Sequence, residues 1–187
     1  MEIYLIRHTK TIAQTGLCYG RTDLDIGDDF LAGAKKIKTK LPEFENSCMI
    51  YSSPLKRCRK LATCFSSQVL IDNRLQELDF GDWENRLFDD LPTEEVAYWT
   101  ENFVACAPPN GESFSQLVER VAAFWQMLQT QTTQTIFIVT HAGVIRAWLA
   151  IILQLPLKNA FQFQVDYGSV HKLRYIDGYT YVEYLNH

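Results

Sequence analysis

The sequence predicts an α/β protein, a three-layer α/β/α sandwich around a mainly parallel central sheet. Three observations carry this. Short runs of β-branched and aromatic residues alternate with longer segments whose apolar residues recur at helical spacing. That order, strand then helix, occurs both early and late in the chain. The last quarter alternates apolar with polar residues, as half-exposed strands added antiparallel at a sheet edge do. The 187 residues suit one domain at roughly 100–200 residues per domain, so we expect a single domain, 1–187, with a small cap segment at about 87–110.

Residues 2–6 form a short apolar run that stops at Arg7-His8-Thr9-Lys10-Thr11, a buried strand feeding a polar loop. Over residues 30–41, Phe30, Leu31, Ala34, Ile37 and Leu41 recur at helical spacing between lysines, and Pro42 is the expected stop. Residues 48–51 read as a second buried strand. Ser52-Ser53-Pro54 is the expected polar cap of a helix over 55–65, and 69–71 is a third short strand. Gly111-Glu112-Ser113 opens a helix running to 128, with Phe114, Leu117, Val121, Phe124 and Leu128 on one side. Residues 135–140 are strongly β-branched and lead through His141-Ala142-Gly143 into an apolar helix over 144–153. Strands are then expected at 161–165, 169–176 and 179–185. Between Leu87 and Pro109 the pattern is irregular, acidic and aromatic, which predicts a cap over one end of the sheet.

Composition excludes several classes. With 47% hydrophobic and 21% charged residues the chain is neither disordered nor low-complexity. Its formal net charge of −4 argues against coating nucleic acid or anionic membrane by bulk charge, so an anionic substrate must meet a local cation cluster. The five cysteines (Cys18, Cys48, Cys58, Cys64, Cys106) are odd in number and show no Cys-x-x-Cys spacing. They read as reduced thiols of a cytoplasmic protein, neither a disulfide framework nor a zinc site. No basic-then-apolar leader is visible at the start, and the longest apolar stretch, 147–153, is far short of the ~20 residues that span a bilayer.

Two histidines directly succeed apolar strands, in Ile6-Arg7-His8 and Val139-Thr140-His141. Binding sites of α/β sheets gather at the carboxyl ends of strands, so both would project from one rim. Arg7, and Arg57 from the start of the next helix, could join them. Guanidinium forks match phosphate oxygens, and imidazole can donate or attack, so this set suits a phosphoryl group. By spacing alone a histidine after a strand is more often a turn residue or a satisfied polar neighbour, and Arg57, among Lys56, Arg59 and Lys60, could be one charge on a solvated helix face.

The whole string is more specific. Leu5-Ile6-Arg7-His8-Thr9-Lys10-Thr11, Ser52-Ser53-Pro54-Leu55-Lys56-Arg57, Glu77-Leu78-Asp79-Phe80-Gly81-Asp82-Trp83-Glu84, Gly111-Glu112-Ser113 and Val139-Thr140-His141-Ala142-Gly143-Val144-Ile145-Arg146 resemble, in order, the histidine phosphatase superfamily that includes phosphoglycerate mutases. The resemblance implies a phosphoglycerate mutase-like fold and a metal-independent phosphoric monoester hydrolase that needs no cofactor. His8 then matches the histidine that becomes phosphohistidine. Arg7, Arg57 and His141 match its phosphate-binding set, and Glu77 matches the carboxyl that protonates the leaving oxygen. Gln14, Tyr19, Gly20, Arg21 and Ala142 are candidate substrate-binding positions, and no metal ligands are expected.

This chain departs from the commonest family string by carrying Thr9 in place of Gly and Gln14 in place of Asn. The backbone at Thr9 should therefore not require positive φ. Three classes remain: a phosphatase acting on a small phosphate ester, a mutase, and a phosphate-binding module without turnover. The short chain, and the absence of an Arg-His-Tyr-Gly type string after the acid, favour hydrolysis. The segment Cys18-Tyr19-Gly20-Arg21-Thr22-Asp23 resembles the superfamily's branch that contains α-ribazole phosphatases of cobalamin biosynthesis. That implies α-ribazole 5′-phosphate as substrate, with a broad-specificity phosphatase as the alternative. Tyr19, Trp83, Phe88, Trp99 and Phe103 could form a flat wall for its base or simply pack the cap.

Overall fold

Strand β1 (Glu2–Arg7) is buried on both faces, as its apolar run requires: Ile3 and Leu5 point into one core, Tyr4 and Ile6 into the other. The computed structural model describes residues 1–43 and 48–187. The remaining strands are β2 (Met49–Ser52), β3 (Leu70–Ile71), β4 (Thr135–Thr140), β5 (Val170–Ile176) and β6 (Tyr179–Tyr184). They form one sheet in the order β3-β2-β4-β1-β5-β6. The four strands from β3 to β1 run parallel, and β5 and β6 add antiparallel at the β1 side.

Helices α1 (Phe30–Lys38) and α2 (Lys56–Thr63) pack on the face that carries Tyr4, Ile6, Phe137 and Val139. Helices α4 (Phe114–Gln129) and α5 (Ala142–Ile152) cover the opposite face, with Phe124, Trp148 and Leu149 against Leu5, Ile136 and Ile138. Each fully buried aliphatic or aromatic side chain contributes ~1.5–3 kcal/mol, which makes these two apolar layers the main source of stability. Ser113 caps α4 in a reciprocal pair with Gln116.

Four expectations are corrected. Residues 161–165 are no strand. A 3₁₀ turn, Leu157–Gln162, comes after Pro156, and Phe161 stacks edge-on to Phe103 at 4.9 Å. Packing against the cap outweighs the local alternation. The segment read as irregular between Leu87 and Pro109 holds a helix, α3 (Thr93–Asn102), with Glu94 and Glu95 in its first turn. Helix α1 ends at Lys38, before the proline expected to stop it. Finally, Ser52 and Ser53 do not cap α2; both are fully buried, and the N-cap is Leu55.

His171 on β5 is buried, with the Asn186 N–H donating to Nδ1 at 3.2 Å and Nε2 donating to the Ser169 hydroxyl at 3.0 Å. Burial, reinforced by Arg146, pushes it down to about 4. The unfolded chain, near 6.5 at this residue, binds the proton first. Stability from this site is therefore complete above pH 6.5 and lost as pH falls from there towards 4, by up to about 3 kcal/mol. Urea midpoints measured across that window should fall less steeply for His171→Gln than for the parent; equal slopes would contradict the assignment.

Candidate active site

The register Arg7↔Thr140 between β1 and β4 carries His8 and His141 out of adjacent strands at the same level. The His8 N–H donates to the Thr140 carbonyl at 3.1 Å, and the two imidazoles stand edge to face with centroids 5.1 Å apart. From the other side of β4, the β2 chain brings Ser53, whose hydroxyl is 2.8 Å from His141 Nε2. Arg57 enters from the first turn of α2 with its Nε 3.3 Å from His141 Nδ1. It is wholly buried, whereas its neighbours Lys56, Arg59 and Lys60 are exposed. That removes the reading of Arg57 as a surface charge. Arg7 closes the other flank, its Nη1 donating to the Val165 carbonyl at 2.6 Å.

The geometry sets both imidazoles. His8 Nδ1 lies 2.6 Å from the Thr9 carbonyl, which can only accept, so Nδ1 carries the proton and the Nε2 lone pair is left for attack. Burial, then the charges of Arg57 and Arg7, hold His8 well below the usual imidazole range. At neutral pH it is an uncharged imidazole beside two cations. His141 is lowered by burial, Arg57 and His8. The Arg57 Nε–H donates to its Nδ1, so its Nε2–H points to Ser53. Cys58 Sγ, 3.4 Å from the same Nε2, is a buried thiol pushed strongly up by desolvation and stays protonated.

Glu77 is held by two backbone amides: Leu78 N–H at 2.9 Å and, from the first turn of α5, Gly143 N–H at 3.1 Å. Arg120 fixes the segment beneath it, donating to the carbonyls of Arg74, Gln76 and Glu77 at 2.7, 2.7 and 3.0 Å while pairing with Glu112. A Cβ at Gly143 would stand 2.3 Å from Glu77 Oε1. Gly143→Ala should therefore displace the carboxyl and cut kcat at least tenfold, although alanine is favoured over glycine in a helix by ~1 kcal/mol. Unchanged kcat, read beside an unchanged or raised Tm, would show that Glu77 is not held there for turnover.

The segment 16–23 closes the site from above. The Arg57 fork donates to the carbonyls of Gly20 (2.5 Å) and Thr22 (2.8 Å), and a Cβ at Gly20 would lie 1.8 Å from the Leu78 carbonyl. Glu84 ties this loop down, accepting from the N–H groups of Gly20, Arg21 and Thr22 and from the Thr22 hydroxyl. Burial alone would raise its pKa; these donors outweigh it and hold Glu84 below the ordinary carboxylate value. Tyr19 meets Tyr167 hydroxyl to hydroxyl at 2.7 Å. Tyr167 in turn covers the Arg7 guanidinium at 3.7 Å and abuts His8.

Among the predicted positions, Arg7, His8, Arg57, Glu77 and His141 are thus brought to one rim, and buried Ala142 opens α5 beside them. Gln14 stands apart, exposed on the wall of an outer cavity of about 370 Å³ shared with Lys10, Thr11, Tyr19 and Tyr167. Arg21 is engaged by Asp79 (3.2 Å) and Glu112 (3.5 Å). The expected aromatic wall divides: Tyr19 faces the outer cavity, while Trp83 is buried with Cys18 and Leu91 and packs on Trp99, so both tryptophans join the cap. Phe103 packs on Phe114 and Phe161. Tyr167 and Arg120 are absent from the sequence reading, and Ser53 entered it only as an expected helix cap and within the Ser52-Ser53-Pro54-Leu55-Lys56-Arg57 string, with no partner for His141 assigned to it. Nothing in their local pattern marks them, since each meets the site only through tertiary contact.

The family model described as histidine phosphatase superfamily (branch 1) matches residues 3–187. The chain is 28% identical over 202 residues to the adenosylcobalamin/alpha-ribazole phosphatase of Salmonella typhimurium, covering all of this chain and 96% of that protein. To phosphoserine phosphatase 1 of Hydrogenobacter thermophilus it is 26% identical, over 90% of this chain and 84% of that one. The crystal structure of the alpha-ribazole phosphatase from Shigella flexneri superposes with a TM-score of 0.91 at 29% identity, covering 100% of this chain and 96% of that one.

Proposed function

This chain belongs to the histidine phosphatase superfamily (branch 1), a phosphoric monoester hydrolase, and from that premise we propose that it removes the 5′-phosphate of α-ribazole 5′-phosphate, with His8 as nucleophile. The observation that carries the chemistry is His8 itself, neutral, held at Nδ1 by the Thr9 carbonyl and set between Arg7 and Arg57. In the first step His8 Nε2 bonds to phosphorus as the ester P–O bond breaks, and the leaving oxygen takes its proton from Glu77. Arg7, Arg57 and His141 neutralise the oxygens that stay, which is most of what phosphoryl transfer asks of a protein. Water then attacks phosphorus, Glu77 takes its proton, the P–N bond breaks, and inorganic phosphate leaves with His8 neutral again. Since the cationic set supplies the charge, no metal enters these steps.

Substrate identity rests on the α-ribazole phosphatase relatives and on the outer cavity, whose Tyr19 and Tyr167 offer flat surfaces to a heteroaromatic base. The odd number of cysteines and the lack of Cys-x-x-Cys spacing support a cytoplasmic reading. Phosphoserine is the second reading, favoured by the Hydrogenobacter relative. We expect kcat/KM for α-ribazole 5′-phosphate to exceed that for phosphoserine, 3-phosphoglycerate and a simple aryl phosphate by tenfold or more. A preference for phosphoserine would give the second reading, and equal values a broad-specificity phosphatase of the same mechanism.

A further inference from the structure

Among the ordered motifs, Gly111-Glu112-Ser113 contributes no group to the mechanism, yet Glu112 is buried. Burial is unfavourable for a carboxylate unless its charge is met. The chain passes so close to its neighbour here that a Cβ at Gly111 would stand 2.6 Å from the Asp79 carbonyl, and the Glu112 N–H donates to that same carbonyl at 2.9 Å. The string is thereby fastened to the segment that carries Glu77.

Residues 76–80 lie in neither strand nor helix, so no ladder partner holds their carbonyls. One side chain does. Arg120, from the second turn of α4, engages all five N–H groups of its guanidinium, two on the Glu112 carboxylate at 2.7 and 2.8 Å and three on the carbonyls of Arg74, Gln76 and Glu77. The Thr140 hydroxyl takes the remaining carbonyl of that stretch, Leu75, at 2.9 Å. A bidentate carboxylate fixes the plane of the guanidinium it pairs with, so Glu112 sets the fork, and the fork sets the peptide from which the Glu77 side chain departs. Arg21 approaches the same carboxylate at 3.5 Å but is partly exposed, so it contributes little to holding it.

We propose that Glu112 and Arg120 are positioning residues for the general acid, acting through Glu77 and not on the substrate: they place its carboxyl against the leaving oxygen. This rests on Glu77 being the acid of the proposed mechanism. In Glu112→Gln the amide oxygen still accepts from one Arg120 N–H, but the amide NH₂ meets the other donor to donor, and the guanidinium must turn. The Glu77 peptide turns with it, and a misplacement of ~1 Å is enough to cost ~10²-fold in a catalysed step. The loss is selective, because an aryl oxide leaves without a proton and an alkoxide does not.

The test is the ratio of kcat/KM for p-nitrophenyl phosphate to kcat/KM for a sugar phosphate. Both constants report the phosphorylation step, and a ratio taken within one preparation does not depend on how much of the protein is folded. Glu112→Gln should raise the ratio at least ~10-fold over the parent. Arg120→Lys, which keeps the charge but brings three donors to five acceptors, should do the same, and it decides alone if Glu112→Gln does not fold. Glu77→Gln should raise the ratio at least as far. Adding Glu112→Gln to Glu77→Gln should raise it no further, because a carboxyl that is gone cannot be misplaced. Val121→Ala, a change in the apolar core beside Arg120, should lower Tm and leave the ratio parental. A parental ratio in the Glu112 and Arg120 variants, beside a raised one in Glu77→Gln, reduces the pair to a structural role and overturns the inference; a further rise in the double variant overturns it too. A parental ratio in Glu77→Gln removes the acid assignment itself, and the inference with it.

Discussion

Replacement of His8 by alanine is expected to reduce turnover by at least ~10³-fold, the scale on which loss of a covalent nucleophile registers. The parent protein, quenched in acid-free denaturant during turnover, should carry an acid-labile, base-stable phosphoryl group that is missing from the variant. Folding should survive the change in outline, because β1 is anchored by Ile3, Leu5 and Ile6, each fully buried, and His8 lies just beyond the strand. Near-parental activity in His8→Ala would sink the assignment. The neutral His8 also predicts that its protonation costs activity only on the acid side, well below the usual imidazole range, since burial and two guanidinium groups hold its pKa low.

The second large effect falls on Glu77. Glu77→Gln keeps the shape and can still accept the Gly143 and Leu78 N–H groups, but it carries no transferable proton. General acid catalysis contributes ~10²–10⁴-fold, and it matters most when the leaving oxygen is a strong base. An alkyl ester such as a sugar phosphate should therefore lose about two orders of magnitude or more in the phosphorylation step. p-Nitrophenyl phosphate, whose oxide departs unaided, should lose far less in that step, read as the burst of p-nitrophenol. Equal losses on both substrates would move the acid role to another carboxyl, Asp79 being nearest in sequence on the same segment.

Periodicity exposes the fold because its elements are governed by local burial. In β1 and β4, buried on both faces, a continuous apolar run is the only solution, and β-branched residues mark both ends of the Thr135–Thr140 strand correctly. Periodicity fails where packing partners lie far away in the chain. Phe161, Phe163 and Val165 alternate as a strand would, yet Phe161 is claimed by the cap aromatics and Val165 is buried separately. Helix α3 buries no residue of its own completely, so its stripe is too weak to read between prolines.

The same division runs through the site. The sequence by itself grouped Arg7, His8, Arg57, Glu77 and His141 through the ordered motifs that resemble the histidine phosphatase superfamily; strand-end position alone placed only the histidines and the two arginines on a common rim. Only the tertiary structure decided how those groups are held. The Thr9 carbonyl sets the His8 proton, Gly143 leaves space for Glu77, Arg120 ties down the segment beneath it, and Tyr167 comes from the far end of the chain to cover Arg7, beside the bond that joins Arg7 to Val165. A hydrogen bond or a missing Cβ acts only across a few ångströms of space, and no local pattern records which distant residue will occupy that space.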